Sequence, residues 1–274
     1  MINARSQVIG ICTWTLGIDD LELLMSTIAG MGFNGVQYCE SIDLHTAADV
    51  KAMAAKYQLC LIINDPFDCR PGPRNGEASL TNAISYYQRA IDFAAELGCG
   101  QTLQGLGAWT MHCKDQQAGW QFIVTAVQAL SAYAKSKNVP LSYEPCNLYE
   151  VPFVHTAAEF EQLVDESGCS EMTVLLDSFH MNIGEKSPYD VAESYAARNA
   201  VFHISGANRE GISQSHIDFH RYYDALRNGG FDGPVVMECV LSGNPVNTPP
   251  RNENEMTRLA NMLIESRQIW QRFR

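Results

Sequence analysis

Eight short runs of apolar and β-branched residues recur along the chain, and this repeat constrains the fold more than any other feature. The runs cover residues 8–14, 35–39, 59–63, 99–104, 140–144, 172–177, 200–205 and 234–239. They are continuously apolar and do not alternate with polar residues, which is typical of strands buried on both faces. They therefore predict a parallel sheet covered by helices.

The segments between these runs carry apolar residues at helical spacing. Asp19 and Asp20 precede one such segment as candidate N-caps, and Thr156 followed by Glu159 has the pattern of a capping box. Strand and helix alternate eight times in about 250 residues, which predicts an α/β fold, a (β/α)8 TIM barrel. An open doubly wound sheet is the alternative, but no GxGxxG motif follows a strand. No linker or composition shift divides the chain, so we predict a single domain over residues 1–274.

Charge and cysteine content argue against several classes of function. The net charge is −12, from 31 acidic and 19 basic residues, whereas a surface that binds nucleic acid or anionic membranes needs the opposite balance. The nine cysteines form no CxxC pair, and some, such as Cys60 and Cys239, lie in apolar runs, so we expect buried free thiols in a reducing compartment. With no signal-peptide pattern and no long apolar run, we expect a cytoplasmic protein that contacts neither membranes nor nucleic acid.

Four polar residues interrupt or end the last four runs, where a barrel places its functional side chains. They are Glu144, Asp177, His203 and Glu238. Taken singly, each has an ordinary explanation: Asp177 could cap a turn and His203 could be a core imidazole. Together they predict one site at the C-terminal rim. Three converging carboxylates need a counter-charge, and oxygen ligands with one nitrogen favour one divalent cation, Mn²⁺ first, with Mg²⁺ or Co²⁺ as alternatives.

Two further polar residues in the late loops suggest a type of chemistry. His180 lies three residues after Asp177, and Arg209 lies six residues after His203. A fixed imidazole and a guanidinium near a metal can stabilise an oxyanion on a carbonyl oxygen. This combination favours proton abstraction next to a ketone, through an enediolate.

Residues of the early loops give weaker signals. Trp14 and Trp109 follow the first and fourth strands, and each could form part of an aromatic wall of the site, with core packing or a subunit contact as the alternative. His45 and His112 also lie in early rim loops and could add ligands, but their spacing is not diagnostic.

Three motifs of the second half, YEPCNLYE (143–150), DSFHMN (177–182) and HISGANR (203–209), carry a family resemblance. Together with Glu238, they resemble the ketose 3-epimerases of the xylose isomerase-like barrel superfamily. In that family the glutamate after strand five is followed six residues later by another glutamate, as Glu144 is by Glu150. The three-residue spacing after the strand-six aspartate and the six-residue spacing after the strand-seven histidine also match. The resemblance is strong over residues 140–240 and weaker before them.

The resemblance implies a role for each of these residues. It implies a metal ion bound by the four polar residues named above, with ketose oxygens O2 and O3 completing the coordination. Glu144 and Glu238 would act as acid and base on opposite faces of C3, while His180 and Arg209 would hold the charge on O2. Glu150 would hydrogen-bond the terminal hydroxyl end of the sugar. A small-molecule sugar is then the expected substrate, and members of this family usually form homodimers or homotetramers.

Two stretches that line the mouth of the barrel depart from the sequence expected of such an epimerase, namely residues 64–80 and the SGNP segment at 242–245. They leave the sugar, and whether it is free, phosphorylated or glycosylated, undecided. An aldose–ketose isomerase and a sugar dehydratase of the inosose dehydratase type use related sites and remain alternatives. An endonuclease is disfavoured by the net charge. A barrel retained only for binding is disfavoured because neither a predicted ligand nor the His180–Arg209 pair is missing.

Overall fold

The computed structural model describes residues 7–241 and 248–273, and in it eight parallel strands close into a barrel in sequence order. The strands are β1 (Ile9–Cys12), β2 (Gly35–Tyr38), β3 (Cys60–Asn64), β4 (Gly100–Thr102), β5 (Leu141–Tyr143), β6 (Thr173–Asp177), β7 (Asn199–Ile204) and β8 (Val235–Met237). Each predicted run overlaps one of them. The (β/α)8 TIM barrel is therefore confirmed, and the open sheet is excluded. The SGNP segment lies outside the described residues.

Helices cover the outside of the barrel. They are α1 (Leu21–Gly30), α2 (Ala47–Lys56), α3 (Leu80–Leu97), α4 (Gln116–Lys137), α5 (Ala157–Ser167), α6 (Ser178–Gly184), α7 (Pro188–Tyr195), α8 (Phe219–Asn228) and α9 (Glu253–Gln271). A 3-10 helix over Gln104–His112 follows β4. Asp20 caps α1 by accepting from the backbone N–H of Leu23 at 2.7 Å, and Thr156 caps α5. Glu159 does not complete the expected capping box, because its carboxylate accepts from the N–H of His155, one residue too early.

The register of the barrel brings the C-terminal ends of the strands to one rim. Asp177 at the end of β6 pairs with His203 on β7. The backbone N–H of Glu238 donates to the carbonyl of Ile204 at 3.0 Å, so the ladder continues one residue beyond β8. Glu144 directly follows β5. Because all the strands run in the same direction, the side chains at their ends face one common space.

An apolar cluster fills the barrel below this rim. It includes Leu175, Val201 and Val236, which are almost completely buried. Each of them lies two residues before one of the polar rim residues on its own strand. Side chains alternate along a strand, so the apolar residue and the polar residue of each pair share the inner face. The polar rim residues therefore lie directly above a layer of apolar side chains.

The thiols only partly follow expectation. All nine cysteines are free, and Cys239 is buried as predicted. Cys60 is exposed, and the prediction for it was wrong because the first residue of β3 faces away from the core. Within residues 7–241 and 248–273, no helix is long and apolar enough to cross a membrane.

Candidate active site

The four polar residues of the last four strands converge at the rim. Glu144, Asp177, His203 and Glu238 are all buried, and one potential ligand atom from each lies within 4.8 Å of the others. Asp177 also caps α6, because its Oδ1 accepts from the backbone N–H of Phe179 at 2.7 Å. This hydrogen bond fixes one carboxylate oxygen and leaves Oδ2 facing the cluster. Residues up to 94 positions apart in sequence thus form one buried group of donors.

Burial and charge together set the protonation of this cluster. Burial raises the pKa of Glu144 from its ordinary 4.5 to about 8, despite the attraction of His203. Burial also opposes the ionisation of Glu238, but Arg209 and His203 outweigh it and hold the pKa of Glu238 well below its usual range. The charge on His203 is opposed by burial as well, yet Glu238 and Glu144 raise the pKa of His203 well above its ordinary value. Without a bound cation, the cluster therefore favours one protonated and one ionised glutamate beside a positively charged His203.

This donor set fits a divalent cation. Glu144 Oε1 lies 3.4 Å from His203 Nδ1, is buried, and has no hydrogen-bond partner among the described residues. A cation between the carboxylates would satisfy that oxygen and offset their mutual repulsion. Cys12 and Cys146 also lie within reach, but burial raises the pKa of both thiols well above their ordinary value, so they stay protonated. The available donors are thus three carboxylates and one imidazole, a set that suits Mn²⁺ or Mg²⁺.

Arg209 reaches the cluster from the loop after β7. Its guanidinium donates to Asp177 Oδ2 and, at 3.0 Å, to Glu238 Oε2, and it lies 4.7 Å from the centre of the Phe179 ring. Its backbone has a φ of +66°, in the left-handed region that residues other than glycine rarely adopt. The Arg209 carbonyl accepts from the N–H of Val240 at 2.8 Å, which ties this strained loop to the segment after β8. Strain that neighbouring contacts maintain in this way is common at functional sites.

His180 lies on the first turn of α6 and faces the same space. Its Nε2 is 3.7 Å from Glu144 Oε1 and 3.7 Å from Asp177 Oδ2. Burial lowers the pKa of His180. Glu150 lies on the exposed side of the same region, and its Oε1 accepts from Asn147 Nδ2 at 2.9 Å. The structure therefore connects Glu150 to the cluster through Asn147 and not directly.

The two predicted aromatic wall residues differ in position. Trp14 borders the cluster: its Nε1 donates to Glu238 Oε1 at 2.9 Å, and its ring centre lies 4.8 Å from that of Phe67. Trp109 is completely buried, and its Nε1 donates to the carbonyl of Cys69 at 2.9 Å. The structure therefore joins Trp109 to the 64–80 segment through Cys69, and its role as a wall residue stays a prediction. His45 Nε2 lies 2.9 Å from the carbonyl oxygen of Asp19, and His112 Nδ1 lies 2.9 Å from that of Trp109. These contacts lie apart from the four-residue cluster.

Comparison with known proteins gives a family for this barrel. A family model described as xylose isomerase-like TIM barrel matches residues 25–262. The chain belongs to this family. Members of the family share the eight-stranded parallel architecture, so the match agrees with the closed barrel described above.

Among its relatives, the chain is similar to a ketose 3-epimerase from Arthrobacter globiformis, with 28% identity over 158 residues, 56% of this chain and 54% of that protein. A 3-dehydro-D-guloside 4-epimerase from Escherichia coli is 22% identical over 226 residues, 77% of this chain and 84% of that protein. The fold matches the crystal structure of a D-psicose 3-epimerase from Clostridium cellulolyticum with a TM-score of 0.80 and 21% identity, over 96% of this chain and 99% of that one. The match spans about half the length of this ketose 3-epimerase and of an L-ribulose 3-epimerase from Methylomonas.

Two buried residues beside the cluster, Gln37 and Asp65, are not among the site residues predicted from the sequence. His203 Nε2 lies 2.8 Å from Gln37 Oε1, and Gln37 Nε2 donates to Asp65 Oδ2 at 3.0 Å. Asp65 Oδ1 accepts from Thr102 and Gln104. Gln37 lies within the apolar run GVQYC, and a buried polar side chain in an apolar strand is the same signal that identifies Glu238. Asp65 follows β3 directly and could have been found in the same way.

Proposed function

We propose that this protein is a metal-dependent sugar epimerase that inverts a carbon next to a carbonyl, by removing and returning a proton through an enediolate. The reacting carbon would be C3 of a ketose or the equivalent carbon of a keto-sugar derivative. Glu144 and Glu238 would be the two acid/base residues. The epimerases among the relatives support this reaction type.

The observation that carries the proposal is the convergence of Glu144 and Glu238 on one buried cluster, beside His180 and Arg209. Two carboxyl groups that reach one site from different strands can act on one carbon, one removing its proton and the other returning a proton, as epimerisation through two bases requires. In one direction of reaction Glu238 would remove the proton and Glu144 would supply the new one. For the reverse direction the two residues exchange roles.

The remaining residues would bind and orient the sugar around these two groups. A divalent cation held by Glu144, Asp177, His203 and Glu238 would polarise the carbonyl and acidify the neighbouring C–H. His180 and Arg209 would donate hydrogen bonds to the carbonyl oxygen as its negative charge develops. Trp14 would hold Glu238 in place through its Nε1, which donates to the carboxylate at 2.9 Å. Glu150 would accept from hydroxyl groups at the open end of the substrate.

The test is an assay in deuterated water with protein reconstituted with Mn²⁺. A panel of free ketoses and 3-keto-glycosides is incubated with the protein and followed by NMR. We expect one substrate to give its epimer, carrying a single deuterium at the inverted carbon. An aldose product would instead indicate an isomerase, and loss of water would indicate a dehydratase; either result would contradict the proposal.

A matched pair of variants tests the two-base mechanism. Glu238→Gln removes a proposed base and should abolish turnover, whereas Glu265→Gln makes the same chemical change on the exposed face of α9 and should have no effect. If Glu238→Gln kept its activity and its metal affinity, two-base catalysis by this pair would be wrong.

A second candidate function is 4-epimerisation of a 3-keto-glycoside. It is favoured by the extent of similarity, because the match to the 3-dehydro-D-guloside 4-epimerase spans 77% of this chain and the match to the ketose 3-epimerase spans 56%. The chemistry is the same, since the inverted carbon again lies next to the carbonyl. The substrate panel distinguishes the two functions directly.

We also propose Mn²⁺ as the ion, with Mg²⁺ or Co²⁺ as alternatives, and a cytoplasmic homodimer or homotetramer. Removing the metal with a chelator and restoring each ion in turn should give the highest turnover with Mn²⁺. Light scattering after size-exclusion chromatography measures the number of subunits, and a monomer would contradict the expected assembly.

A further inference from the structure

The amide of Asn147, in the turn after β5, has only one consistent orientation. Its Oδ1 accepts from the backbone N–H of Tyr149 at 3.0 Å, so the opposite side of the amide must carry the NH₂ group. This Nδ2 lies 2.9 Å from Glu150 Oε1, an acceptor when ionised, and 2.9 Å from His180 Nδ1. Each of its two hydrogens therefore has an acceptor.

His180 Nδ1 faces a second donor from the same residue. The backbone N–H of Asn147 donates to Nδ1 at 3.2 Å. A ring nitrogen that accepts hydrogen bonds from two N–H groups carries no proton, so the proton of the neutral imidazole is on Nε2. Nε2 is the nitrogen that faces the cluster, 3.7 Å from both Glu144 and Asp177.

We propose that Asn147 is a positioning residue that holds His180 in the Nε2–H tautomer, so that this imidazole donates to the substrate oxygen and cannot accept from it. The role at the substrate rests on the proposed epimerase function, but the tautomer itself does not. Asn147 acts through His180 and through Glu150 and needs no contact of its own with the reacting atoms. The turn YEPCNLYE therefore supplies a base, a tautomer-fixing amide and an outer carboxylate within seven residues, 144–150.

The second imidazole of the site provides a contrast. His203 Nε2 faces Gln37 Oε1 at 2.8 Å, and the amide of Gln37 is oriented by Asp65, which accepts from its Nε2 at 3.0 Å. His203 therefore donates from Nε2 away from the cluster and directs Nδ1 towards the carboxylates. His180 thus directs Nε2–H to the site, whereas His203 directs Nδ1 to it, the nitrogen that would bind the cation, and an amide sets each orientation.

The tautomer can be measured without any substrate. Protein with ¹⁵N-labelled histidine and bound Mg²⁺ is studied by two-bond ¹H–¹⁵N correlation spectra, with His180 assigned from a His180→Gln variant. We expect an unprotonated Nδ1 and a protonated Nε2 in the wild type. A protonated Nδ1 in the wild type would overturn the proposal, and this result depends on no variant of Asn147.

Asn147→Asp then tests the cause. Its carboxylate accepts where the amide donates, so we expect a proton to appear on His180 Nδ1, while the signals of His203 stay unchanged. Asn261→Asp, an identical substitution on the exposed face of α9, should leave both histidines unaltered. If Asn147→Asp left His180 Nδ1 unprotonated, the amide would not control the tautomer.

Kinetics separate positioning from folding. Loss of one donor to an oxyanion lowers kcat by about 100- to 1,000-fold, so we expect a fall of this order for Asn147→Asp with little change in KM. An unchanged kcat alongside a shifted tautomer would refute the role at the substrate. If no sugar in the panel reacts but the NMR result holds, the epimerase assignment fails while the control of the tautomer by Asn147 stands.

Discussion

Burial disfavours the ionised form of the Glu144 carboxyl group, whereas the charge of His203 favours it. Replacing this carboxyl group with an amide tests the balance between the two effects. The pKa of Glu144 is raised to about 8, so in metal-free protein the folded state binds this proton more tightly than the unfolded chain does. The resulting stabilisation is complete below the ordinary pKa of the group, 4.5. It is lost as the pH rises through about 8. Glu144→Gln keeps the shape of the side chain but stays neutral at every pH, which removes this dependence.

The size of the effect follows from the pKa. A rise from 4.5 to about 8 corresponds to about 5 kcal/mol, at about 1.4 kcal/mol per pH unit. Glu144 is only 4% exposed, so solvent does little to screen the charge of its carboxylate. The variant also loses the attraction of Glu144 for His203, 3.4 Å away, which offsets part of the gain. We expect metal-free Glu144→Gln to be about 2–4 kcal/mol more stable than the wild type at pH 9, or about 4–8 °C in Tm, and similar to it at pH 5.

Calorimetric unfolding between pH 5 and pH 9, with chelator and then with Mn²⁺, measures both parts of this reasoning. Mn²⁺ at 100 times its Kd should stabilise the wild type by about 2.7 kcal/mol. The variant lacks one proposed ligand and should gain less. The difference in unfolding free energy between Glu144→Gln and the wild type at pH 9 should therefore become smaller or change sign when Mn²⁺ is added.

Glu265→Gln, on the exposed face of α9, is the control for the loss of one negative charge. It should follow the wild type at every pH. The reasoning is refuted if metal-free Glu144→Gln is less stable than the wild type at pH 9, or if Mn²⁺ stabilises the two proteins equally.

Three further predictions concern the surroundings of the cluster. Gln37→Leu leaves His203 without its acceptor and should weaken Mn²⁺ binding about 10- to 100-fold by calorimetric titration, and unchanged affinity would show that Gln37 does not orient the imidazole. Arg209→Lys cannot bridge two carboxylates and should lower kcat about 10-fold or more, so wild-type turnover would contradict the bidentate role. Gly105→Ala would place a Cβ 2.2 Å from Cys69 Sγ and should lower the free energy of unfolding by about 1–3 kcal/mol in denaturant. Gly168→Ala has open space around its Cβ but a φ of +69°, so it measures backbone strain alone.

The sequence was sufficient to predict the barrel and the convergence of the four polar residues because both follow from periodicity. In a parallel barrel, the residues that end the strands all lie on the same rim. Glu144 and Glu238 are 94 positions apart, yet each ends an apolar run, so the topology alone brings them together. Their roles as ligands and bases stay predictions, because a shared rim does not determine which atoms bind a metal or a sugar.

Residues of irregular segments could not be located in this way. Trp109 lies in a 3-10 helix after β4, where no repeat indicates which side faces inward, and its indole is buried and donates to the carbonyl of Cys69. Cys60 lies in an apolar run like Cys239, but it opens β3 and faces outward. In both cases the residue type is apolar and the direction of the side chain depends on tertiary packing, which a local pattern does not contain.

The neutral amides mark a different limit. A carboxylate in an apolar strand is conspicuous because burying its charge is costly, and this cost points to a functional reason for keeping it. Asn147 and Gln37 carry no charge, and an asparagine after a proline is ordinary turn composition. Their function depends on which side of the amide faces which ring nitrogen, and that is decided by hydrogen bonds from Tyr149 and to Asp65. A polar residue in an apolar run, such as Gln37, can therefore be noticed in the sequence, whereas the ring nitrogen that each amide faces requires coordinates.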